Sequence, residues 1–453
     1  MTTSVAPVHA AAFRYRRFWN WFPMGLLYAF LYWGRYNLTV AKSSLGELMT
    51  KADFGTIFGI GTTIYAFSFL INGPLTDKMG GKKAILVAAA GATTANVLMG
   101  LMLQQALTAE VPPQPGSLTA AFSALYGLNM YFQSFGAAAI VKVNSSWFHV
   151  RERGGFSGIF GTMIASGIFF AFDVSNRVLG LAEGQGPGGI DAKWWVFYAP
   201  ACALASLALV EAFLLKDRPG LAGHADFDTG DASSGEDDKP IAVLDLYKRI
   251  LGNPVILTLC IVEFCTGVLR NGTMHWVDIY IKTGASEGGL GLDKGHFLRA
   301  NWGLILMVAG IIGGNVAGIV SDKLFQSRRA PAAALLYGVL VAGSLVMGFT
   351  LDNAVLLGSV AFVLQIAVIG THGLLSGTAT MDFGGRKGAA TAVGVIDGFV
   401  YLGTAVQSFA LGWLTEKSWS YWPPFLVPFS VLGLYLLTRI WHAIPKGKGS
   451  GGH

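Results

Sequence analysis

The stretch GPLTDKMGGKK, Gly73 to Lys83, returns in the second part of the chain as GIVSDKLFQSRR, Gly318 to Arg329. Each copy closes an apolar run, sets Asp-Lys at its end (Asp77 and Lys78, then Asp322 and Lys323) and turns tightly into a basic cluster. One copy alone reads as a helix cap with flanking bases. Two copies in corresponding places read as a duplicated architecture in which these acids and bases form a gate-like network. A Gly four residues before each Asp, Gly73 and Gly318, is expected to let neighbouring helices approach closely. A second matched pair, RERGGFSG (Arg151 to Gly158) and GRKGAATAVG (Gly385 to Gly394), repeats the same relation further along each copy.

What surrounds these loops is apolar. Of 453 residues, 53% are hydrophobic and 13% charged, well below the quarter or so of soluble domains. The apolar blocks run to roughly 18–26 residues, enough to cross about 30 Å of hydrocarbon as helix. Strand-length alternation is absent, which argues against a barrel. The expectation is an all-α membrane protein of twelve transmembrane helices in two six-helix halves. Spans should start near Trp19, Phe54, Ala84, Leu118, Gly154, Trp194, Pro254, His296, Pro331, Ala354, Gly388 and Tyr421. The halves would be residues 1–215 and 254–453. Residues 216–253, with the acidic run Asp226–Asp238 and the amphipathic piece Ile241–Leu251, read as a flexible linker.

Charge gives the orientation. Of 32 Lys and Arg, 21 fall on the side of the termini and the Lys82, Arg151, Arg218, Arg328 and Arg386 loops, and 8 on the other. The positive-inside rule then puts both termini in the cytoplasm, with the chain multi-pass in the inner (plasma) membrane. Arg14, Arg16 and Arg17 lead directly into a full-length apolar run, so the first span reads as retained. The net charge of +6 is explained by this asymmetry and implies no nucleic-acid partner. Cys202, Cys260 and Cys265 lie inside spans without ligand spacing and read as packing residues, with no metal. No Gly-rich nucleotide loop and no nucleophile–base spacing is present, so neither an enzyme nor a cofactor is expected.

Against this background, buried charges stand out. Arg35 and Arg270 each lie 16 residues into the first span of their half. An arginine at such depth costs about 2.5–3.5 kcal/mol on insertion scales and needs a wet or paired environment. Two guanidinium forks at matched depth suit a shared phosphate or carboxylate. Tyr28 and Tyr32 precede Arg35 on one helical face, and Tyr65 and Tyr401 are further pocket candidates. Asp397 lies one turn before Tyr401 and Glu263 two turns before Arg270, and each reads as a proton carrier or an ion-pair partner. Glu263 would then pair with Arg270. His372 is a further coupling candidate, His275 is expected to be a packing residue, and Asp173 with Arg177 should form a local i,i+4 ion pair.

The GxxxD-K-x-G-x-basic loops resemble the signature of the major facilitator superfamily, and the resemblance spans essentially the whole chain. It implies alternating access by rocking of two halves about a midplane site, in a generally monomeric protein. YAFLYWGRYNL (from Tyr28), YAFSFLINGPLTDK (from Tyr65), Phe132–Gln133 with Lys142, LRNGTMHW (from Leu269) and YLGTAV (from Tyr401) are similar to the organophosphate:phosphate antiporters. That resemblance implies a phosphoryl group held between Arg35 and Arg270, with Tyr28, Tyr32, Tyr65, Tyr401 and Trp276 lining the pocket. Basic helpers of that family are replaced here by Tyr36, Phe69 and Ile164, and an acid by a residue near Met307, so the pocket has lost positive charge and a protonation-sensitive pair.

The leading expectation is a secondary transporter of small organic anions, chiefly phosphorylated metabolites exchanged for inorganic phosphate. The alternatives are a proton-coupled symporter of carboxylates such as sugar acids, and a transporter-like membrane sensor of sugar phosphates. Its partners would be the anion, inorganic phosphate or protons, and the lipid bilayer.

Overall fold

Among the described residues the chain forms twelve long helices, and their starts follow local chemistry. The computed structural model describes residues 9–111, 113–149, 152–227, 229, 248, 252–326, 328–379 and 389–442, with the side chains of 153–160, 377–379 and 389–393 outside the description. The helices are α1 (Ala11–Leu45), α2 (Lys51–Met79), α3 (Gly81–Thr108), α4 (Thr119–Trp147), α5 (Arg153–Phe169) and α6 (Trp195–Leu214). They continue as α7 (Pro254–Lys282), α8 (Trp302–Ile319), α9 (Arg329–Met347), α10 (Ala354–His372), α11 (Ala389–Lys417) and α12 (Trp422–Arg439). Thr50 and Asp53 close a capping box on α2, and Asn253 caps α7 with Pro254 in its first turn.

Most starts match the expectation within a few residues. Two differ. α1 begins at Ala11 because its first turns lie across the end of the bundle, where Arg16 donates to the Leu214 carbonyl and Arg17 to Glu152. α8 begins at Trp302 because Asn301 leaves helical geometry (φ −129°, ψ 24°) after the short helix Phe297–Ala300.

Ten of the helices, all but α1 and α4, are apolar enough over an 18-residue window to cross a membrane. α1 and α4 fall short because they carry the buried polar residues of the interior, Arg35 and Asn37 on one and Asn129, Gln133 and Ser134 on the other. Neither needs to be lipid-soluble all round.

The packing repeats. α1 lies on α5 and α6, α2 on α4, and α3 on α4 and α6; likewise α7 lies on α11 and α12, α8 on α10, and α9 on α10 and α12. The two six-helix sets meet along α2–α11, α5–α8 and α1–α7. Close approach occurs at Gly55, where a Cβ would sit 2.4 Å from the Ser408 carbonyl of α11. Gly73 and Gly318, expected to serve that purpose, instead face open space, because the helices have already diverged at the loop end. In the first loop copy Gly80 takes the left-handed turn (φ +87°); in the second, Gln326 takes it (φ +53°).

Three helices pass into single π-helical turns: α5 at Phe170–Val174, α8 at Val320–Leu324 and α10 at Gly373–Ala379. Each contains or adjoins a titratable side chain, namely Asp173, Asp322 and His372. Such turns concentrate at functional positions because they re-aim a side chain without ending the helix. The amphipathic piece 241–251 (save residue 248), the core of the acidic run, residues 385–388 of the 385–394 stretch and the C-terminal tail lie outside the described residues.

Candidate anion site between two arginines

Arg35 is held by a polar cage that begins one residue earlier. The Gly34 carbonyl accepts from Asn96 (3.1 Å) and Asn129 (2.9 Å), and the Arg35 carbonyl accepts from Tyr126 (3.0 Å). A side chain at position 34 would place its Cβ 3.1 Å from the Asn96 amide nitrogen, so Gly is what admits these donors. Asn37 completes the cage through Asn96 and the Val196 carbonyl. With its backbone fixed on α1, Arg35 extends between the two helix sets.

Its guanidinium is wholly buried and all three nitrogens are used. Nε donates to Gln133 Oε1 (2.8 Å), Nη2 to the Tyr65 hydroxyl (2.9 Å) and Nη1 to the Tyr401 hydroxyl (3.1 Å). The Tyr32 and Tyr65 rings lie 4.5 Å from its central carbon, a cation–π arrangement worth most in a dry site. Tyr28 joins through its ring contact with Tyr32 at 5.3 Å. The three Arg35 bonds all end on neutral groups, so the positive charge itself is uncompensated there.

Arg270 is placed differently. Its carbonyl accepts from Gln365 (3.1 Å), which orients the turn of α7, and Tyr32 lies within hydrogen-bonding reach of its guanidinium. Its side chain is buried, and its Nε finds no acceptor among the described residues. Tyr32 therefore faces both arginines, and Tyr36 and Tyr401 lie in the field of both. Two buried guanidinium groups thus meet only neutral partners, one bonded to two phenols and an amide and the other with an open Nε among the described residues, an arrangement chemically able to receive an anion.

The other candidates divide. Trp276 donates to Gln407 (3.1 Å) and packs on Phe54 and Trp419, away from the arginine cluster. Glu263, expected beside Arg270, accepts instead from His372 Nδ1 at 3.0 Å, because α10 rather than the next turn of α7 faces it. Asp397 accepts from Ser376 (2.5 Å). At the loop end Asp77 pairs with Lys142 of α4 (2.9 Å) and Asp322 with Arg329 of α9 (2.8 Å), each within its own helix set. Lys78 and Lys323 are solvent-exposed. Each loop Asp thus takes its base from a neighbouring helix, not from the Lys beside it.

At the far end, polar ties join the two sets. Thr39 hydrogen-bonds His275 Nδ1 (2.7 Å), Ser43 donates to Asp278 (3.2 Å), and Lys282 bridges Asp278 (2.7 Å) and Asn176 (3.1 Å). Asp173 does not pair with Arg177. Its carboxylate reaches across and accepts from the backbone of Gly303 (2.7 Å) and Leu304 (2.9 Å), capping α8 of the other set. The π turn at Phe170–Val174 carries Asp173. A cavity of about 480 Å³ lined by Arg177, Lys193, Lys282, Lys294 and Arg299 opens at this end, distinct from the arginine pair.

Sequence reasoning passed over Gln133 as a site residue, the Asp173 cap and the Ser43–Asp278–Lys282 chain. A lone Gln in mid-span and an i,i+4 Asp–Lys pair were visible signals; the cap was not, because its partners are backbone amides.

The comparisons bear on family and fold. The family model described as Major Facilitator Superfamily matches residues 24–408. Among curated relatives, the membrane sensor protein UhpC of Salmonella typhimurium is 25% identical, covering 90% of this chain and 87% of its own. A probable hexose phosphate transport protein of Chlamydia pneumoniae is 23% identical, over 97% of this chain and 94% of its own. The glycerol-3-phosphate transporter of Bacillus subtilis is 23% identical, over 92% and 90%. In fold, a bacterial homologue of the human lysosomal transporter Spinster, solved inward-facing and unoccupied, superposes with a TM-score of 0.73 at 12% identity over 96% of this chain and 99% of its own. The chain belongs to the major facilitator superfamily, and within it resembles the organophosphate:phosphate antiporters.

Proposed function

We propose that this protein carries phosphorylated metabolites across the inner membrane in exchange for inorganic phosphate, by alternating access. The observation that carries the reading is the pair Arg35 and Arg270, one from each helix set, buried around a shared Tyr32, with Arg270 Nε lacking an acceptor among the described residues. A phosphoryl oxygen supplies that acceptor, and its charge balances two guanidinium groups that neutral phenols only solvate. The names of the hexose phosphate and glycerol-3-phosphate relatives support the same substrate class.

The basic loops and both termini lie in the cytoplasm on the positive-inside argument. The far-end ties then seal the outer mouth, and this conformation receives its anion from inside. Asp77–Lys142 and Asp322–Arg329 brace the inner loops of each half until the halves rock.

Exchange in proteoliposomes, with glycerol 3-phosphate, glucose 6-phosphate and inorganic phosphate as substrates, tests the reading. Arg35→Lys and Arg270→Lys should each reduce exchange at least about 100-fold while leaving an inserted, folded protein, because an ammonium cannot reproduce the planar fork. Normal exchange by both variants sinks the two-arginine site. The relative named as a membrane sensor favours one second reading, a receptor on the same fold. Binding of sugar phosphate without accumulation of any substrate selects it.

A further inference from the structure

A second cluster of titratable groups lies in the other direction along α7, toward the loop end, and the arginine site does not use it. Glu263 on α7 is fully buried and bonded through Oε2 to His372 Nδ1, while its Oε1 has no partner among the described residues. His372 ends α10 just where the π turn Gly373–Ala379 begins. A quarter of the His372 side chain stays accessible, whereas Glu263 is fully enclosed. Among the described residues, Asp397 on α11 and Arg270 on α7 are the other charged groups whose fields reach the imidazole.

A purely structural carboxylate buried at this depth would have both oxygens satisfied. Glu263 has one. Its bond to His372 fixes the tautomer: Nδ1–H donates to the carboxylate, which leaves Nε2 as a free acceptor on the other side of the ring.

We propose that the Glu263–His372 dyad is a proton-binding site that couples net anion uptake to a proton, His372 Nε2 taking the proton and Glu263 orienting the ring and bearing its counter-charge. The proposal rests on the anion-carrier reading above. Electrostatics supplies the reason. The field of Arg270 reaches His372 and opposes a further positive charge there, and an anion bound at Arg270 cancels that field, so anion and proton each raise the other's affinity. The proton adds to Nε2: one N–H bond forms, nothing is oxidised or reduced, and the proton leaves with the anion on the opposite side. In anion-for-anion exchange the carrier is anion-loaded in both crossings, so a proton that enters with one anion returns with the other and none moves net. The replacement of basic helpers by Tyr36, Phe69 and Ile164 fits a pocket that acquires its third positive charge from solution.

The test separates the two modes in proteoliposomes holding the full chain, with glycerol 3-phosphate as probe and the membrane potential clamped at zero. For one coupled proton, a gradient of one pH unit, acid outside, should raise steady accumulation about tenfold in the wild type. His372→Gln and Glu263→Gln should abolish that stimulation yet keep exchange within about threefold, since exchange moves no net proton by the argument above. Stimulation surviving in both variants overturns the dyad. Loss of exchange together with stimulation also overturns it, by making the pair structural. A wild type that exchanges anions without any response to the gradient overturns the coupling and leaves the carrier reading intact. A wild type that exchanges none of glycerol 3-phosphate, glucose 6-phosphate and phosphate overturns the carrier reading itself.

Discussion

At the scale of single residues, the site is defined by what its two arginines lack. Arg35 spends its nitrogens on Gln133, Tyr65 and Tyr401, all neutral, and its stability in the empty protein depends on them. Gln133→Leu removes the acceptor of Nε and leaves a charged donor buried without a partner, at a cost of about 1–3 kcal/mol. Thermal unfolding in detergent should fall accordingly, and an unchanged midpoint would mean that water replaces the glutamine. Both arginines were legible in the sequence because charge in an apolar run is conspicuous, and their matched depth pointed to one shared site. The role of Gln133 was not legible as such. An uncharged amide in a span has many fates, and only the packing of α4 against α1 selects this one. Trp276, six residues along α7 from Arg270, spends its indole N–H on Gln407, a partner that likewise only the packing of α11 against α7 selects.

At the scale of elements, the spans were legible in the sequence, and the polar ties across their ends were not. The Asp173 cap ties α5 to α8 across the two halves, using the amide donors that every helix start leaves open. Removing a cap costs about 0.5–2 kcal/mol, so Asp173→Ala should shift the far-end equilibrium toward opening by between about twofold and about thirtyfold. Labelling of Ser44→Cys, at the mouth of the far-end cavity, by an impermeant maleimide should accelerate by that factor. No acceleration would show that the remaining ties hold that end alone. At the other end, α1 is strapped down by Arg17, Glu152 and His9. Burial, then the neighbouring Arg17, holds the His9 imidazole below its usual 6.5 against the pull of Glu152. Burial raises the Glu152 carboxyl, but the Arg17 bond, the His149 amide and the nearby Arg17 and His9 charges outweigh it and leave it below its usual 4.5. Both shifts are depressions, so both contributions to stability are present at neutral pH and lost on acidification. The His9 contribution declines as the pH falls below 6.5, and the Glu152 contribution as it falls below 4.5. Thermal melts should therefore separate wild type from Glu152→Gln at pH 7 and bring them together in acid. A gap that persists below pH 4 would rule out the ion pair as its source.

For the whole molecule, the repeated packing of two six-helix sets and the bias of the polar ties toward one end are what a rocking of two halves would require. The duplicated Asp-Lys loops foretold the two-fold plan. They could not foretell which mouth is tied, because that depends on pairings between residues more than a hundred positions apart, such as Ser43 with Asp278 and Lys282 with Asn176. If the two ends open alternately, fixing one mouth must stop exchange without abolishing access from the other. Ser43→Cys with Asp278→Cys, in a background where Cys202, Cys260 and Cys265 are replaced, places two thiols where side-chain oxygens now sit 3.2 Å apart. Bridging them with a short bifunctional thiol reagent should block exchange by at least about 90%, while phosphate-ester binding in detergent, which needs only the loop end, stays within about threefold of the unbridged protein. A reducible form of the bridge should return exchange on reduction. Undiminished exchange by the bridged protein would mean that the far end need not part, and the rocking of two halves about Arg35 and Arg270 would have to be abandoned.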